Sequence, residues 1–109
     1  MNGTDGKKPL PRFTVHADHP SLADHFPGNP IVPGALVLDA LVEACEDRHP
    51  ELRVLGVSSL KFKSQLKPDI TAEIVFSSSP RGLAVKVMTE EGVIAEGILL
   101  VESGPENAR

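Results

Sequence analysis

Only one stretch of this chain is built to be a long helix, and prolines bracket it on both sides. From Gly34 to about Arg48 the residues Ala35-Leu36-Val37-Leu38-Asp39-Ala40-Leu41-Val42-Glu43-Ala44-Cys45-Glu46-Asp47 suit a helix. Upstream, Pro27, Pro30 and Pro33 fix their own φ and push the preceding residues toward extended geometry. Downstream, Pro50 forbids continuation. Apolar side chains surround most of the helix circumference, which predicts burial on nearly all sides. A lone helix of that kind needs a sheet to cover it.

The rest of the chain supplies strands. Leu52–Lys63, Ile70–Ser77, Leu83–Thr89 and Val93–Val101 read as strands, separated by turns at Pro68-Asp69, Pro80-Arg81-Gly82 and Glu90-Glu91-Gly92. Arg12–His16 alternates polar and apolar like an edge strand, and His19–Asp24 fits one helical turn opened by Pro20. The pattern is α+β, an antiparallel sheet wrapped around one long central helix. Residues 1–11 read as a loose leader, 12–101 as a single domain and 102–109 as a polar tail.

A 109-residue domain folding alone buries about two-thirds of its unfolded surface, and pairing sheet edges in a dimer would complete it. Acidic residues outnumber basic ones 15 to 11, for a net charge of −4. With four Phe and neither Trp nor Tyr, this argues against nucleic acid as a partner. The single cysteine, Cys45, has no partner for an internal disulfide. No apolar run is long enough to span a membrane, and the first residues lack the apolar segment of a signal peptide. The expectation is a cytoplasmic protein.

His25 stands on a loop stiffened by three prolines and two glycines between Pro27 and Gly34, which suits a general base. Imidazole is largely neutral at cellular pH. Asp39, Glu43 and Glu46 at i, i+4 and i+7 read as a solvent-facing stripe. Against that, Asp is a poor helix-interior residue, and Asp39 is flanked by Leu36, Val37, Leu38, Ala40, Leu41 and Val42. An acid there is also a candidate proton donor, with Glu43 as competitor or neighbour. Gly34 opens the helix, where backbone N–H groups lack intrahelical acceptors and favour an oxyanion. His16, His19 and His49 rank lower, and their spacing matches no metal site. Lys61 and Lys63 share one strand face, either a solvated surface or a patch for an acidic carrier protein.

The run His25-Phe26-Pro27-Gly28-Asn29-Pro30-Ile31-Val32-Pro33-Gly34, with an acid fourteen positions after the histidine, resembles the signature of β-hydroxyacyl-(acyl carrier protein) dehydratases of the hot-dog fold. Leu60-Lys61-Phe62-Lys63 with Lys67-Pro68-Asp69, and Glu91-Gly92-Val93-Ile94-Ala95-Glu96-Gly97, resemble that family's later strands. The resemblance implies His25 as base, Asp39 as acid and the Gly34 N–H as oxyanion donor. It further implies a dimer whose sites take histidine and acid from opposite subunits. The expected substrate is a 3-hydroxyacyl thioester on the phosphopantetheine arm of acyl carrier protein, with no further cofactor and no metal. Phe26, Pro33, Leu36, Leu38, Leu41, Glu43 and Phe62 are the expected substrate-lining residues.

Three departures point to a divergent member. Glu43 stands where the family commonly has Gln, Lys67-Pro68-Asp69 replaces Pro-Gly-Asp, and the chain is short. A specialised pathway such as aryl-polyene or polyketide-like synthesis would fit these departures, beside ordinary fatty acid synthesis. A hot-dog thioesterase and a non-catalytic accessory subunit binding acyl thioesters are the alternative readings.

Overall fold

The computed structural model describes residues 10–22 and 31–103. Strand β1 (Arg12–Phe13) leads to a single 3-10 turn (Pro20–Leu22) and then to helix α1 (Gly34–Arg48). Strands β2 (Leu52–Phe62), β3 (Ala72–Ser79), β4 (Gly82–Thr89) and β5 (Gly92–Ser103) follow. They form one antiparallel sheet in the order β1-β3-β4-β5-β2. The meander β3-β4-β5 is sequential, and β2 returns along the far side of β5. The expected α+β architecture is the one observed.

The helix begins where the prolines release the chain. Pro33 sits extended at the N-cap, and its carbonyl accepts from Leu36 N at 3.0 Å and Val37 N at 3.4 Å. At the other end His49 N donates to the Cys45 carbonyl, and the chain leaves the helix before Pro50. Val37, Leu41 and Cys45, spaced at i, i+4 and i+8, are fully buried against the sheet. Their cover comes from alternate residues of the strands: Ala72 and Ile74, Val85 and Val87, Ala95 and Leu99. Burying a side chain such as Leu41 contributes about 1.5–3 kcal/mol.

The helix is not enclosed on all sides, as its composition suggested. One sheet covers one stripe, while Asp39, Glu43, Glu46 and Asp47 are exposed and Leu36, Leu38 and Val42 are half-buried. The polar stripe is therefore the solvent face of the single chain.

Several boundaries also differ, and β3 begins and ends two residues later than the expected Ile70–Ser77. The strand expected over Arg12–His16 pairs only through Phe13, because residues 14–17 leave the sheet to bond the turn at Asp69. Strand β5 runs two residues past Val101, pairing Glu102 with Arg53 and Ser103 with Leu52.

Strand β2 forms one edge of the sheet. It pairs with β5 across two bulges and leaves Leu55, Val57 and Phe62 exposed. Beside it Gly97 makes a close backbone approach: a Cβ there would lie 2.1 Å from the Ser59 carbonyl oxygen.

Candidate active site

Asp39 opens into a groove of about 620 Å³ between α1 and the segment following β1. One wall is helical: Leu36, Asp39, Ala40 and Glu43 fall on neighbouring turns and so on one side of α1. Residues 13–16 and 18–20 form the facing wall. The floor is apolar, with Phe13, Val15, Leu36 and Ala40, and the rim carries His16, Asp18, His19, Asp39 and Glu43. Such a mixture suits an acyl group whose reacting end meets acid–base side chains.

A clasp holds the facing wall in place. Asp69 adopts φ 66°, a left-handed conformation that Asp tolerates better than most residues. Its N–H donates to the Val15 carbonyl at 2.7 Å, and its Oδ1 accepts from Ala17 N at 3.2 Å. The same oxygen lies 3.5 Å from His16 Nδ1, and the Thr14 and Thr71 hydroxyls meet at 2.8 Å. The turn Lys67-Pro68-Asp69 therefore organises the wall opposite Asp39.

The helix start forms a second part of the site. Val32 N donates to the Leu66 carbonyl at 2.8 Å, tying the chain just upstream of α1 to the connection after β2. Gly34 is exposed, and Pro33 offers no side-chain cap. The Leu36 N–H is taken by the Pro33 carbonyl, whereas the N–H groups of Gly34 and Ala35 precede any acceptor within the helix, and no acidic side chain occupies that turn. A negatively charged oxygen is favoured here by the helix dipole. The Phe62 ring closes one side, its Cε2 and Cζ 3.2 Å from where a Cβ on Gly34 would sit.

His25 and Phe26 lie outside the described residues. Asp39 and Glu43 share the groove with Leu36, whereas Gly34 and Phe62 meet at the helix start. Pro33 and Leu38 are half-buried beside these residues, and Leu41 lies in the closed core. His16 and His19 share the groove with Asp39, although their sequence positions ranked them low. That proximity arises from a contact more than fifty residues away along the chain, between the segment 15–17 and Asp69. No local pattern carries it.

No cluster of three or more metal-ligating side chains occurs among the described residues. Burial pushes the Cys45 thiol above its usual pKa, with Glu46 and then Glu51 adding to the shift. This cysteine belongs to the core and lies apart from the groove.

Known proteins resemble this chain in sequence and in fold. The model of the ApeI-like family, described as ApeI dehydratase, matches residues 3–97. The 3-hydroxyacyl-[acyl-carrier-protein] dehydratase FabZ of Acetivibrio thermocellus is 37% identical over 105 residues, covering 84% of this chain and 72% of its own length. Among solved structures, the dehydratase heterocomplex ApeI:P from Xenorhabdus doucetiae gives a TM-score of 0.70 at 16% identity. That match covers 83% of this chain and 82% of the other. The pyran synthase domain from module nine of the sorangicin pathway gives 0.70 at 25% identity, over 86% of this chain and 34% of that one. The helix and curled sheet are those of a hot-dog fold, and the chain belongs to the ApeI-like dehydratase family.

Proposed function

We propose that this chain dehydrates a 3-hydroxyacyl thioester carried on acyl carrier protein, giving the trans-2-enoyl thioester and water. The observation that carries this reading is the family match over residues 3–97, which spans both His25 and Asp39. It is supported by a groove on the Asp39 side of the helix and an uncapped helix start at Gly34.

The chemistry follows from those groups. The His25 imidazole takes the proton from the carbon next to the thioester carbonyl. Negative charge grows on the carbonyl oxygen, and the Gly34 N–H, aided by the helix dipole, stabilises it. Asp39 in its acid form gives a proton to the 3-hydroxyl, which leaves as water while the electron pair closes the carbon–carbon double bond. Base, acid and oxyanion donor suffice for this elimination. The only prosthetic element is the pantetheine arm bearing the substrate, and no metal is invoked. Run backwards, the same groups hydrate an enoyl thioester.

The site is completed by a second copy of the chain. Asp39 is exposed on the single subunit, and β2 offers an unpaired edge with Leu55, Val57 and Phe62 exposed along it. Pairing through that edge caps the sheet and covers apolar surface. In this arrangement the Asp39 of one subunit meets the His25 of the other. The setting is the cytoplasm, in fatty acid synthesis or a related polyene or polyketide-like pathway; no helix among the described residues is long and apolar enough to cross a membrane.

The test is incubation with 3-hydroxyacyl thioesters on carrier protein, following loss of water by mass and free thiol by colorimetry. Loss of water without thiol release, abolished in His25→Ala and in Asp39→Asn, is the expected result. Thiol release would identify a thioesterase. Thioester binding without turnover would identify an accessory subunit.

A further inference from the structure

The connection between β2 and β3, residues 63–71, holds two other parts of the chain that flank the proposed base. It is itself fixed to the sheet: Lys63 N and Ser64 N both donate to the Ile94 carbonyl, at 2.7 and 3.2 Å, and Leu66 is buried in the core. Pro68 stiffens its last turn by fixing its own φ and pushing Lys67 toward extended geometry. From this mount the Leu66 carbonyl accepts from Val32 N at 2.8 Å, two residues ahead of Gly34. Asp69 makes the second attachment: its N–H donates to the Val15 carbonyl at 2.7 Å, and its Oδ1 accepts from Ala17 N at 3.2 Å. In the sequence His25 stands between these two attachments.

The upstream attachment is passed along the chain by local hydrogen bonds. His19 N donates to the His16 carbonyl and Leu22 N to the His19 carbonyl, each at 2.9 Å, and Leu22 is buried. Two successive turns therefore link the Asp69 contact to Leu22 with little slack. His25, outside the described residues, is three positions beyond Leu22, and three residues of chain reach at most about 11 Å. A shift of the segment 15–22 shifts the origin of that reach. Misplacing a reacting group by about 1 Å can cost about 10²-fold in rate. The contact of Asp69 with His16 is secondary. Nδ1 lies 3.5 Å away, both side chains are largely exposed, and exposed ion pairs contribute little. An acceptor oxygen for Ala17 N, rather than the charge, is what the segment needs.

We infer that Asp69 is a positioning residue for the base His25, acting through the Ala17 N–H on the segment that leads to it. The inference rests on the dehydratase reading and adds the residue that sets its base in place. Asp69 suits the task in two ways: an aspartate tolerates φ 66°, and its short side chain reaches a backbone N–H that would otherwise lose this partner.

The experiment compares the full chain with Asp69→Gly, Asp69→Asn and Arg12→Gln. Glycine accepts φ 66° without strain and removes the acceptor, whereas asparagine keeps both the conformation and an acceptor oxygen. Arg12→Gln is the control, loosening an exposed tie to Glu73 between β1 and β3. Each protein is assayed on a 3-hydroxyacyl thioester of carrier protein. In Asp69→Gly, kcat should fall about tenfold or more while KM stays within about twofold. In Asp69→Asn and Arg12→Gln, kcat should stay within about threefold of wild type. A rise in KM at unchanged kcat would make Asp69 a support of the substrate wall alone and overturn the assignment. Equal losses in the glycine and asparagine variants, or no loss in either, would overturn it too. So would a glycine variant unfolded at the assay temperature, since Asp69 would then serve the fold. Imidazole-ring NMR reads the same link without turnover: with four histidines in the chain, the His25 signal is the one missing in His25→Ala. It should move in Asp69→Gly and hold in Asp69→Asn. A signal unmoved by the glycine substitution contradicts the link. If the wild type dehydrates no substrate, the dehydratase reading fails, and the ring signal alone decides whether Asp69 places His25.

Discussion

Replacing Gly97 by Ala tests the pairing that holds β2, and with it Phe62, against the rest of the site. A Cβ at this position would lie 2.1 Å from the Ser59 carbonyl oxygen, 2.9 Å from the Ser59 carbonyl carbon and 2.8 Å from the Leu60 Cα. All three are backbone atoms, so no side-chain rotation relieves the contact. Opening the gap to the 3.0 Å that real contacts require moves β2 away from β5 by most of an ångström. Ladder hydrogen bonds lengthened by that much pass beyond useful range. At about 1 kcal/mol for each of two or three bonds, together with strained packing, the cost is about 3 kcal/mol. For a domain of this size that is a fall of roughly 12–24 °C in melting temperature. Gly56, on the same pair of strands, has nothing within 4 Å of its would-be Cβ and is the control. Urea unfolding of both variants is the assay. Gly97→Ala within 0.5 kcal/mol of wild type (a roughly neutral surface substitution), or equal losses at both glycines, would refute the reasoning.

Three other outcomes follow from the same structure. Leu41→Ala empties a fully buried position and is expected to cost about 2–5 kcal/mol in denaturant unfolding. Asp39→Asn changes an exposed side chain, so thermal stability should hold while kcat/KM on a carrier-bound substrate falls about 10²–10⁴-fold. Cys45 has its pKa raised by burial, so its folded form holds the proton more tightly than the unfolded chain. The thiol's contribution to stability is then complete below its usual pKa of 9.0 and is lost as pH rises above it. Unfolding free energy should decline from pH 8 to 10 in the wild type, and less steeply in Cys45→Ala.

The helix was legible because its limits are chemical: prolines before and after it leave little freedom, and Gly34–Arg48 is the observed span. The four later strands were legible from alternation and turn residues, and each lies within two residues of its expected bounds. What sequence could not carry was contact at a distance. Arg12–His16 has the alternation of a strand, but Asp69 draws residues 15–17 out of the sheet with hydrogen bonds that no local pattern encodes. The same contact brings His16 and His19 to the groove. Asp39 shows a different limit. Its i, i+4, i+7 stripe reads as solvent-facing, and in the single subunit it is. Only a motif spanning His25 to Asp39, matched to a family, points to chemistry at that position.

The proposed second subunit, bringing its His25 to Asp39, would remove that tension, and one mixing experiment tests it directly. His25→Ala and Asp39→Asn are purified separately, combined under conditions that exchange subunits, and assayed for dehydration of a carrier-bound 3-hydroxyacyl thioester. Random reassortment makes about half the dimers mixed, each with one intact site, so activity should recover to about a quarter of wild type. Mixed dimers that form, as seen by native mass spectrometry, and yet stay inactive would contradict a site shared between subunits.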